Sequence, residues 1–600
     1  MTEIAKIIFP DMEKICTEGE LYFRVASGVA KNEGKQLFLE GKTVVSFDTF
    51  FNCVPYGKLL KYTRVRDVSF NITIKGHVKV RVLYNESIDP EFRDKDDVTL
   101  KLKAPVLLKE VEINTSGEVR EEGLTVEITN LPGQGILYAE IESFIDSTVY
   151  EAEYVTSQKP ERKSKIGLVF CTFKREEYVK GNVKRLRKRF KEDKYLGESF
   201  GIFVVDNGNT LKGDDVEGAL LFPNPNTGGS GGFTRGMLEV QARPEYTHFL
   251  LMDDDLIFET EILAKILFWT EMSVNASRIT IGAAMLFLDR PYMQHELGCL
   301  HPSYKTRSLH AGYDLRDRND ILFNEYEQKA DYTGWWCCCM PIETIDRIGK
   351  PLQFFIKIDD VEYSVRAENE IILTNGIGVW HENFDDKYSS ELEYYIIRNG
   401  CIYHMIHEKK KTRMAIMKRL VARFAKELVQ YRYEIIDMVI DGFKDFLKGA
   451  DFFTTLDNEK KHMEVRSKAM KQYTKEELKS LGYDIGVKEW YQPKKDAGLC
   501  NAVTLNGYFI PKCFYSKGEK NSFRLVNMNN KNLNYYYKAN VMVQYNPVTE
   551  KGFLTKINKG KVFSYGFKLA GLLIQFLFKF RKLFKGYRGL IKDGEEDRDG

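Results

Sequence analysis

The chain has little of three things that would narrow its class at once: cysteine, net charge and long apolar runs. Ten cysteines in 600 residues are too sparse for a disulfide scaffold. Three of them, Cys337, Cys338 and Cys339, are consecutive, and adjacent thiols cannot all find partners with disulfide geometry. This predicts a protein of a reducing compartment. With 89 basic residues against 86 acidic, the net charge is +3, which excludes an electrostatic footprint for gripping nucleic acid through its phosphates. No run reaches the ~18–20 apolar residues that span a bilayer. The start, Met1-Thr2-Glu3-Ile4-Ala5-Lys6, leads into no apolar stretch of the signal-peptide kind, so the expected location is cytoplasmic. The remaining composition, 43% hydrophobic and 29% charged, excludes disordered and collagen-like chains. An aromatic content of 13% suits large cores and sugar or base stacking alike. The length implies roughly three to five domains.

Up to about residue 160 the pattern has period two. Val68, Phe70, Ile72 and Ile74 alternate with polar residues, Val78, Val80 and Val82 continue the scheme, and Leu124, Val126 and Ile128 repeat it after the turn-like Ser116-Gly117. Such alternation predicts half-buried antiparallel strands and an N-terminal β-sandwich over 1–160. The charged stretch from Gln158 to Lys165 reads as a linker. Beyond it, Ile166 to Cys171 is continuously apolar, the mark of a strand buried on both faces. A basic helical stretch follows from Val179 to Phe190. Phe200–Val205, Ala219–Phe222 and Thr247–Met252 are further strands with helical segments between them. This alternation predicts a mostly parallel α/β sheet over 161–400, with ligands beyond the carboxyl ends of its strands. From 401 to 600 the chain reads as mostly helical, with a long segment from Thr412 to Leu447 and a Tyr- and Asn-rich region over 485–560 that the pattern leaves unassigned. The last element, Val562 to Leu590, mixes apolar and basic residues, and the charged tail Asp593 to Gly600 has a disordered composition. The fold class expected is therefore multidomain α/β.

Three features fall at predicted strand ends. Asp253-Asp254-Asp255 follows the apolar run Phe249–Met252, and three adjacent carboxylates repel one another unless a cation screens them. In extended backbone Asp253 and Asp255 point the same way and can converge on one ion, and oxygen ligands suit Mg²⁺ or Mn²⁺ shared with substrate phosphates. A helix N-cap would account for one or two of the three. The second feature is Pro225-Asn226-Thr227-Gly228-Gly229-Ser230-Gly231-Gly232-Phe233, where glycines let backbone amides approach a phosphate. It matches neither the P-loop nor the dinucleotide fingerprint. In the third, Asp359-Asp360 follows Phe354–Ile358, read as a strand, and Gly378-Val-Trp-His381 ends another apolar run. A carboxylate there suits a general base; His381 is a third metal ligand or a satisfied core histidine. Trp335 and Trp336 are able to stack on sugars but more often belong to a core, and no spacing around Cys337–Cys339 suits zinc.

Taken in order, Cys171-Thr-Phe-Lys-Arg175, Val205-Asp206-Asn207, the Asn226/Gly-rich stretch, Asp253-Asp-Asp255, Trp335-Trp336, Asp359-Asp360 and Trp380-His381 resemble a family 2, GT-A fold glycosyltransferase, and more closely the bacterial galactofuranosyltransferases that build cell-wall galactan. The motif match covers about 160–400. The resemblance implies an N-terminal β-sandwich, a central GT-A domain and a C-terminal helical region. It implies Asp253, Asp255 and His381 as ligands of Mn²⁺ or Mg²⁺ against the diphosphate of a UDP-sugar. Arg175, Asp206, Asn226, Gly229 and Asp254 then line the donor, and Trp335, Trp336, His295 and Asp359 the acceptor. Asp360 is implied as the base of an inverting transfer, with galactofuranose the expected sugar and a lipid-linked or polysaccharide acceptor.

Alternatives are another UDP-hexose such as UDP-glucose or UDP-galactopyranose for capsule or cell wall, a nucleotidyltransferase, and a non-catalytic carbohydrate-binding protein. A nucleotidyltransferase usually carries a basic residue inside its Gly-rich loop, whereas here Arg235 lies beyond it. A binding protein has no reason to keep carboxylates at three strand ends. At the C-terminus, Leu569–Phe578 is apolar but short, and six basic residues lie between Lys579 and Lys592. That composition predicts peripheral attachment to the inner face of the cell membrane. Homo-oligomerisation is left open.

Overall fold

The computed structural model describes residues 1–10, 16, 18–93, 103–301, 306–383, 389–408, 412–493, 503–514, 523–530 and 532–591. Lys592 and the charged tail fall outside them. The chain forms a multidomain α/β structure that divides into two compact units, residues 1–352 with 360–382 and residues 353–359 with 383–600.

In the first unit the period-two segments become strands of two antiparallel sheets. Asp67–Lys75 pairs with Arg120–Glu127, setting Val68 opposite Val126 and Phe70 opposite Leu124. His77–Glu86 belongs to the other sheet, between Gly135–Ser143 and Val106–Asn114. Because side chains alternate across a strand, Val68, Phe70, Ile72 and Ile74 all reach the core together, as do Val78, Val80 and Val82. Each such side chain contributes roughly 1.5–3 kcal/mol by leaving water. Ser116 and Gly117 both have positive φ and turn the chain as their composition predicts.

The stretch read as a linker is strapped down. Glu161 N donates to the Glu271 carbonyl, and Ser164 N to the Glu271 carboxylate (3.1 Å), on helix Ile262–Met272. The central sheet follows, with nine strands. In spatial order these are Leu220–Pro223, Phe200–Asp206, Ile166–Thr172, His248–Asp253, Cys337–Pro341, Ile279–Phe287, Glu370–His381 and Ile257–Phe258, with Gln294–Glu296 paired onto Ile279–Phe287. The first four run parallel. Cys337–Pro341 is antiparallel to both of its neighbours. The three cysteines are thus interior strand residues. Burial pushes the Cys337 thiol up to about 12 and raises the other two as well, leaving them chemically inert.

One continuous hydrophobic core holds residues of all three sheets, from Val68 and Ile141 to Leu250, Ile281 and Trp380. Ion pairs reinforce the join: buried Lys58 meets Glu325 at 2.6 Å, and half-buried Arg318 meets Asp48 at 3.0 Å.

The second unit departs from its expected description in three places. The long helical segment is two helices, Thr412–Val429 and Tyr433–Phe446, separated at Tyr431, whose φ is +60°. The Tyr/Asn-rich region carries a four-stranded sheet, ordered Tyr473–Thr474, Lys551–Lys556, Val541–Asn546, Phe523–Asn527. The last element is a single helix, Lys559–Gly589, ~46 Å long at 1.5 Å per residue. It is long and apolar enough to cross a membrane by length and composition, which corrects the reading of that stretch as too short. Tyr565, Leu572, Phe576, Leu583 and Tyr587 form its buried seam, and Tyr587 stacks on Phe446 at 5.4 Å.

Two buried histidines tie this core to pH. Burial, helped by Arg162, holds His248 down to about 3, and burial with Lys58 nearby does the same to His310. Their folded-state values lie below the unfolded value of about 6.5. Above that pH neither state is protonated and the stabilisation is fully present. As pH falls from about 6.5 toward 3, the unfolded chain takes protons that the fold refuses, and stability drops by up to ~1.4 kcal/mol per pH unit for each histidine. Urea midpoints measured between pH 7 and 4.5 are expected to fall accordingly, and His310→Gln to flatten the slope by about one proton.

Candidate active site

Strand register assembles the site. Cys171 lies level with Asp253, and Thr172 with Asp206, so the parallel strands end together. Strand Glu370–His381 runs parallel to Ile279–Phe287 and ends with His381 opposite Phe287. Ile257–Phe258 then pairs with Val379 and Trp380, drawing the exit of the acidic turn against the histidine arm. One ligand atom each from Asp253, Asp255 and His381 lies within 4.8 Å of the others, which makes the three a triad able to hold a metal ion.

The convergence arises differently from the expectation. Only Asp253 is in the strand; Asp254 and Asp255 form a turn, and it is this turn, not an extended backbone, that folds Asp255 back toward Asp253. The Asn182 side-chain amide donates to the carbonyls of Asp254 and Leu256, both at 3.2 Å, and holds the turn to helix Glu176–Glu192. Sequence reasoning missed Asn182. Its signal was a polar residue on a face otherwise formed by Val179, Val183 and Leu186. Arg175 precedes that helix and donates to Asp255 and to Asp254, the latter at 3.4 Å.

The electrostatics follow from the crowding. Burial pushes Asp253 up, His381 and Arg175 pull it down, and the neighbouring carboxylates of Asp255 and Asp254 push it further up. His381 Nδ1 lies 2.5 Å from the Glu382 carbonyl. A carbonyl only accepts, so Nδ1 carries a proton and Nε2 is the ring atom turned toward Asp255. That Nε2 is 3.3 Å from Asp255 Oδ1, and two electron-rich atoms this close repel unless a proton or cation lies between them. Two carboxylate oxygens and one imidazole nitrogen fit a divalent ion of the Mn²⁺ type.

The glycine-rich segment is the start of a helix, Gly228–Gln241, rather than a free loop, and its glycines divide into two kinds. A Cβ on Gly232 would sit 2.2 Å from Cys171 Sγ, and one on Gly236 2.2 Å from Val169 Cγ1. These two residues let the helix lie directly on strand Ile166–Thr172. Gly229 instead faces open space. Asn226 Oδ1 accepts from Gly228 N at 3.2 Å, and Asn207 Nδ2 donates to the Gly228 carbonyl at 2.9 Å. Asp206 is buried, and its carboxylate is taken up by the backbone amides of Gly208, Thr210 and Leu211 at 2.6–2.8 Å. It shapes the loop after its strand.

Around the expected acceptor side, Trp335 and Trp336 are only 4% and 8% exposed. Trp335 packs edge-on against Phe233 and Tyr363. Trp336 donates to the Ala283 carbonyl, and its own carbonyl accepts from Asp253 N. His295 lies edge-on to Phe287, with Nε2 3.9 Å from Glu296.

The strand expected at Phe354–Ile358 does not form. Phe355, Lys357 and Ile358 all have positive φ, and Arg398 and Asn399 clamp the carbonyls of Phe354, Ile356 and Lys357. Asp359 and Asp360 therefore open helix Asp359–Ala367 instead of following a strand. Asp360 is half-buried, and its charge adds to burial in raising the Tyr332 hydroxyl and the Cys299 thiol.

Carboxylates, a histidine and an arginine gather where parallel strands end, beside a glycine-started helix, and the likenesses to known proteins support a glycosyltransferase enzyme. No family model matches it. It resembles the cell-wall galactan galactofuranosyltransferases, being 24% identical over 446 residues to galactofuranosyltransferase GlfT2 of Mycobacterium tuberculosis, with 69% of this chain and 67% of that one covered. It is also 24% identical over 437 residues to GlfT2 of Mycolicibacterium smegmatis, covering 68% of this chain and 64% of that one. The chain thus spans about two thirds of the length of these relatives. Among solved structures, mannosyl-3-phosphoglycerate synthase from Rubrobacter xylanophilus has a TM-score of 0.25 at 12% identity, covering 40% of this chain and 73% of that one.

The division among the glycines is testable by melting. Gly232→Ala and Gly236→Ala are expected to cost about 1–3 kcal/mol, as overpacked contacts do. Gly229→Ala should leave the melting temperature unchanged or slightly raised, because alanine favours helix and meets nothing there.

Proposed function

We propose that the chain is a metal-dependent, inverting glycosyltransferase that moves galactofuranose from its UDP donor to a growing cell-surface glycan or lipid-linked acceptor. The observation that carries this reading is the convergence of Asp253, Asp255 and His381 with Arg175 beside them, in a chain that resembles galactofuranosyltransferases. Asp253, Asp255 and His381 would hold Mn²⁺ or Mg²⁺. The ion's chemistry, when bound, is to offset the charge of the diphosphate and of the departing UDP.

The remaining work belongs to the chain. Arg175 adds positive charge beside the donor, and Asp254, its partner, sets its reach. The first turn of helix Gly228–Gln241 offers backbone amides to an anion, with Asn226 and the open face of Gly229 lining the sugar. Asp206 holds the loop against which the nucleotide lies. Asp360 takes the proton of the acceptor hydroxyl as it attacks the anomeric carbon from the face opposite UDP, with Asp359, His295, Trp335 and Trp336 on the acceptor side. The two antiparallel sheets of the first 160 residues, read as a sandwich, serve the α/β domain that follows.

UDP release from UDP-galactofuranose in the presence of an acceptor tests the whole reading. Activity should vanish in excess EDTA and return with Mn²⁺. Asp360→Asn keeps the shape but cannot accept a proton, so transfer should fall by ~10²–10⁴ while UDP binding persists. Asp359→Asn should cost far less. Full activity in EDTA, or in Asp360→Asn, contradicts the mechanism; preference for another UDP-hexose corrects only the sugar.

The C-terminal helix is read as lying on the inner, anionic membrane surface. Opposite its buried seam, Phe567 and Phe578 are 79% and 87% exposed, with Phe563, Ile574 and Leu577 on the same side. Lys579, Arg581, Lys582 and Lys585 follow directly. An apolar face next to basic residues suits burial at an interface plus attraction to anionic lipid. Phe567→Ser with Phe578→Ser should markedly reduce cosedimentation with phosphatidylglycerol vesicles while leaving UDP release unchanged; undiminished cosedimentation would remove this reading.

A further inference from the structure

The triad is drawn from two separate arms, the acidic turn after His248–Asp253 and the end of Glu370–His381, and a metal site needs such arms held to a fraction of an ångström. Two aromatic residues from the N-terminal β region touch both. Phe51 packs on Trp380, the residue before His381, with ring centroids 5.7 Å apart. Tyr22 stacks on Phe51 at 5.0 Å and 23°. The Tyr22 hydroxyl then donates to Glu259 Oε1 at 2.5 Å. Glu259 is buried and directly follows the short strand Ile257–Phe258 that leaves the acidic turn.

The pair is itself firmly held. The Tyr22 carbonyl accepts from Thr49 Oγ1 at 2.8 Å and Asn52 Nδ2 at 2.7 Å, and Phe51 N donates to the Leu21 carbonyl at 3.0 Å. The neighbouring Phe50 ring reaches within 2.8 Å of the space a Cβ at Gly378 would take, so the histidine arm approaches this region as closely as glycine permits.

We propose that Tyr22 and Phe51 are positioning residues for the Asp253–Asp255–His381 triad, bracing the acidic turn through Glu259 and the histidine through Trp380. The proposal rests on the metal reading above. Groups that orient metal ligands without touching the ion typically account for 10–100-fold in affinity, whereas ordinary core packing affects stability alone.

The test is Mn²⁺ binding, read from the electron paramagnetic resonance signal of free Mn²⁺ in the presence of UDP. Tyr22→Phe keeps the buried ring and removes the hydroxyl that reaches Glu259, and Phe51→Leu loosens the stack on Trp380. Phe70→Leu is the control, equally buried but packed on Phe47 and Tyr154 instead. Tyr22→Phe and Phe51→Leu should each bind Mn²⁺ about tenfold more weakly, with the Mn²⁺ requirement of turnover raised and kcat at saturating Mn²⁺ nearly unchanged. Phe70→Leu should lower the melting temperature without moving Mn²⁺ affinity. Wild-type affinity in both Tyr22→Phe and Phe51→Leu, or equal weakening in Phe70→Leu, overturns the positioning role. Should Phe51→Leu fail to fold, Tyr22→Phe decides alone. If the wild type binds no Mn²⁺, or Asp255→Ala binds it normally, the metal reading falls and this proposal with it.

Discussion

The mutual repulsion of carboxylates at the end of one buried strand is the constraint around which the first unit is organised. Asp253, Asp254 and Asp255 are brought together where burial raises the cost of charge, and every neighbour answers that cost. Arg175 reaches over from the end of the adjoining strand to Asp254 and Asp255. His381 arrives at Asp255 with its Nε2 forward. Asn182 fixes the turn by its carbonyls and leaves the carboxylates for a cation. Such a site is costly to build and gains most from a cation placed among its carboxylates.

The position of the N-terminal β region follows from the same requirement. Its two sheets share a hydrophobic core with the central sheet, and the buried Lys58–Glu325 pair crosses between them. Removing one side would expose apolar surface and leave a buried charge without its partner, so these residues serve as a wall of the α/β domain. A wall that contacts both arms of the triad also transmits its rigidity to them.

Local patterns and tertiary outcome part company where the backbone is strained or the helix is two-faced. The run Phe354–Ile358 has the composition of a strand, yet three positive φ angles and the clamps from Arg398 and Asn399 bend it. A pattern of hydrophobicity carries no record of such clamps, because they come from residues distant in sequence. The glycine run likewise reads as one feature and serves two purposes, since only the packing partners Cys171 and Val169 separate Gly232 and Gly236 from Gly229. The Tyr/Asn-rich region hides its sheet because its strands are short and one partner, Tyr473–Thr474, lies outside it.

What the sequence determined by itself was whatever depends on short-range periodicity and on order along the chain. It carried the alternating strands of the first 160 residues, the buried strands of the α/β region, and the succession of acidic, glycine, tryptophan and histidine motifs that resembles galactofuranosyltransferases. Tertiary structure alone decided which of those residues meet. Asp253 and Asp255 converge with His381 because a turn and a strand pairing bring them there. Asp206 is spent on its own loop because three amides surround it, and Trp335 and Trp336 lie mostly in the core because Phe233, Tyr363 and Ala283 enclose them. Spacing along a chain fixes the face a side chain occupies; only the pairing of distant segments fixes the partner it meets there.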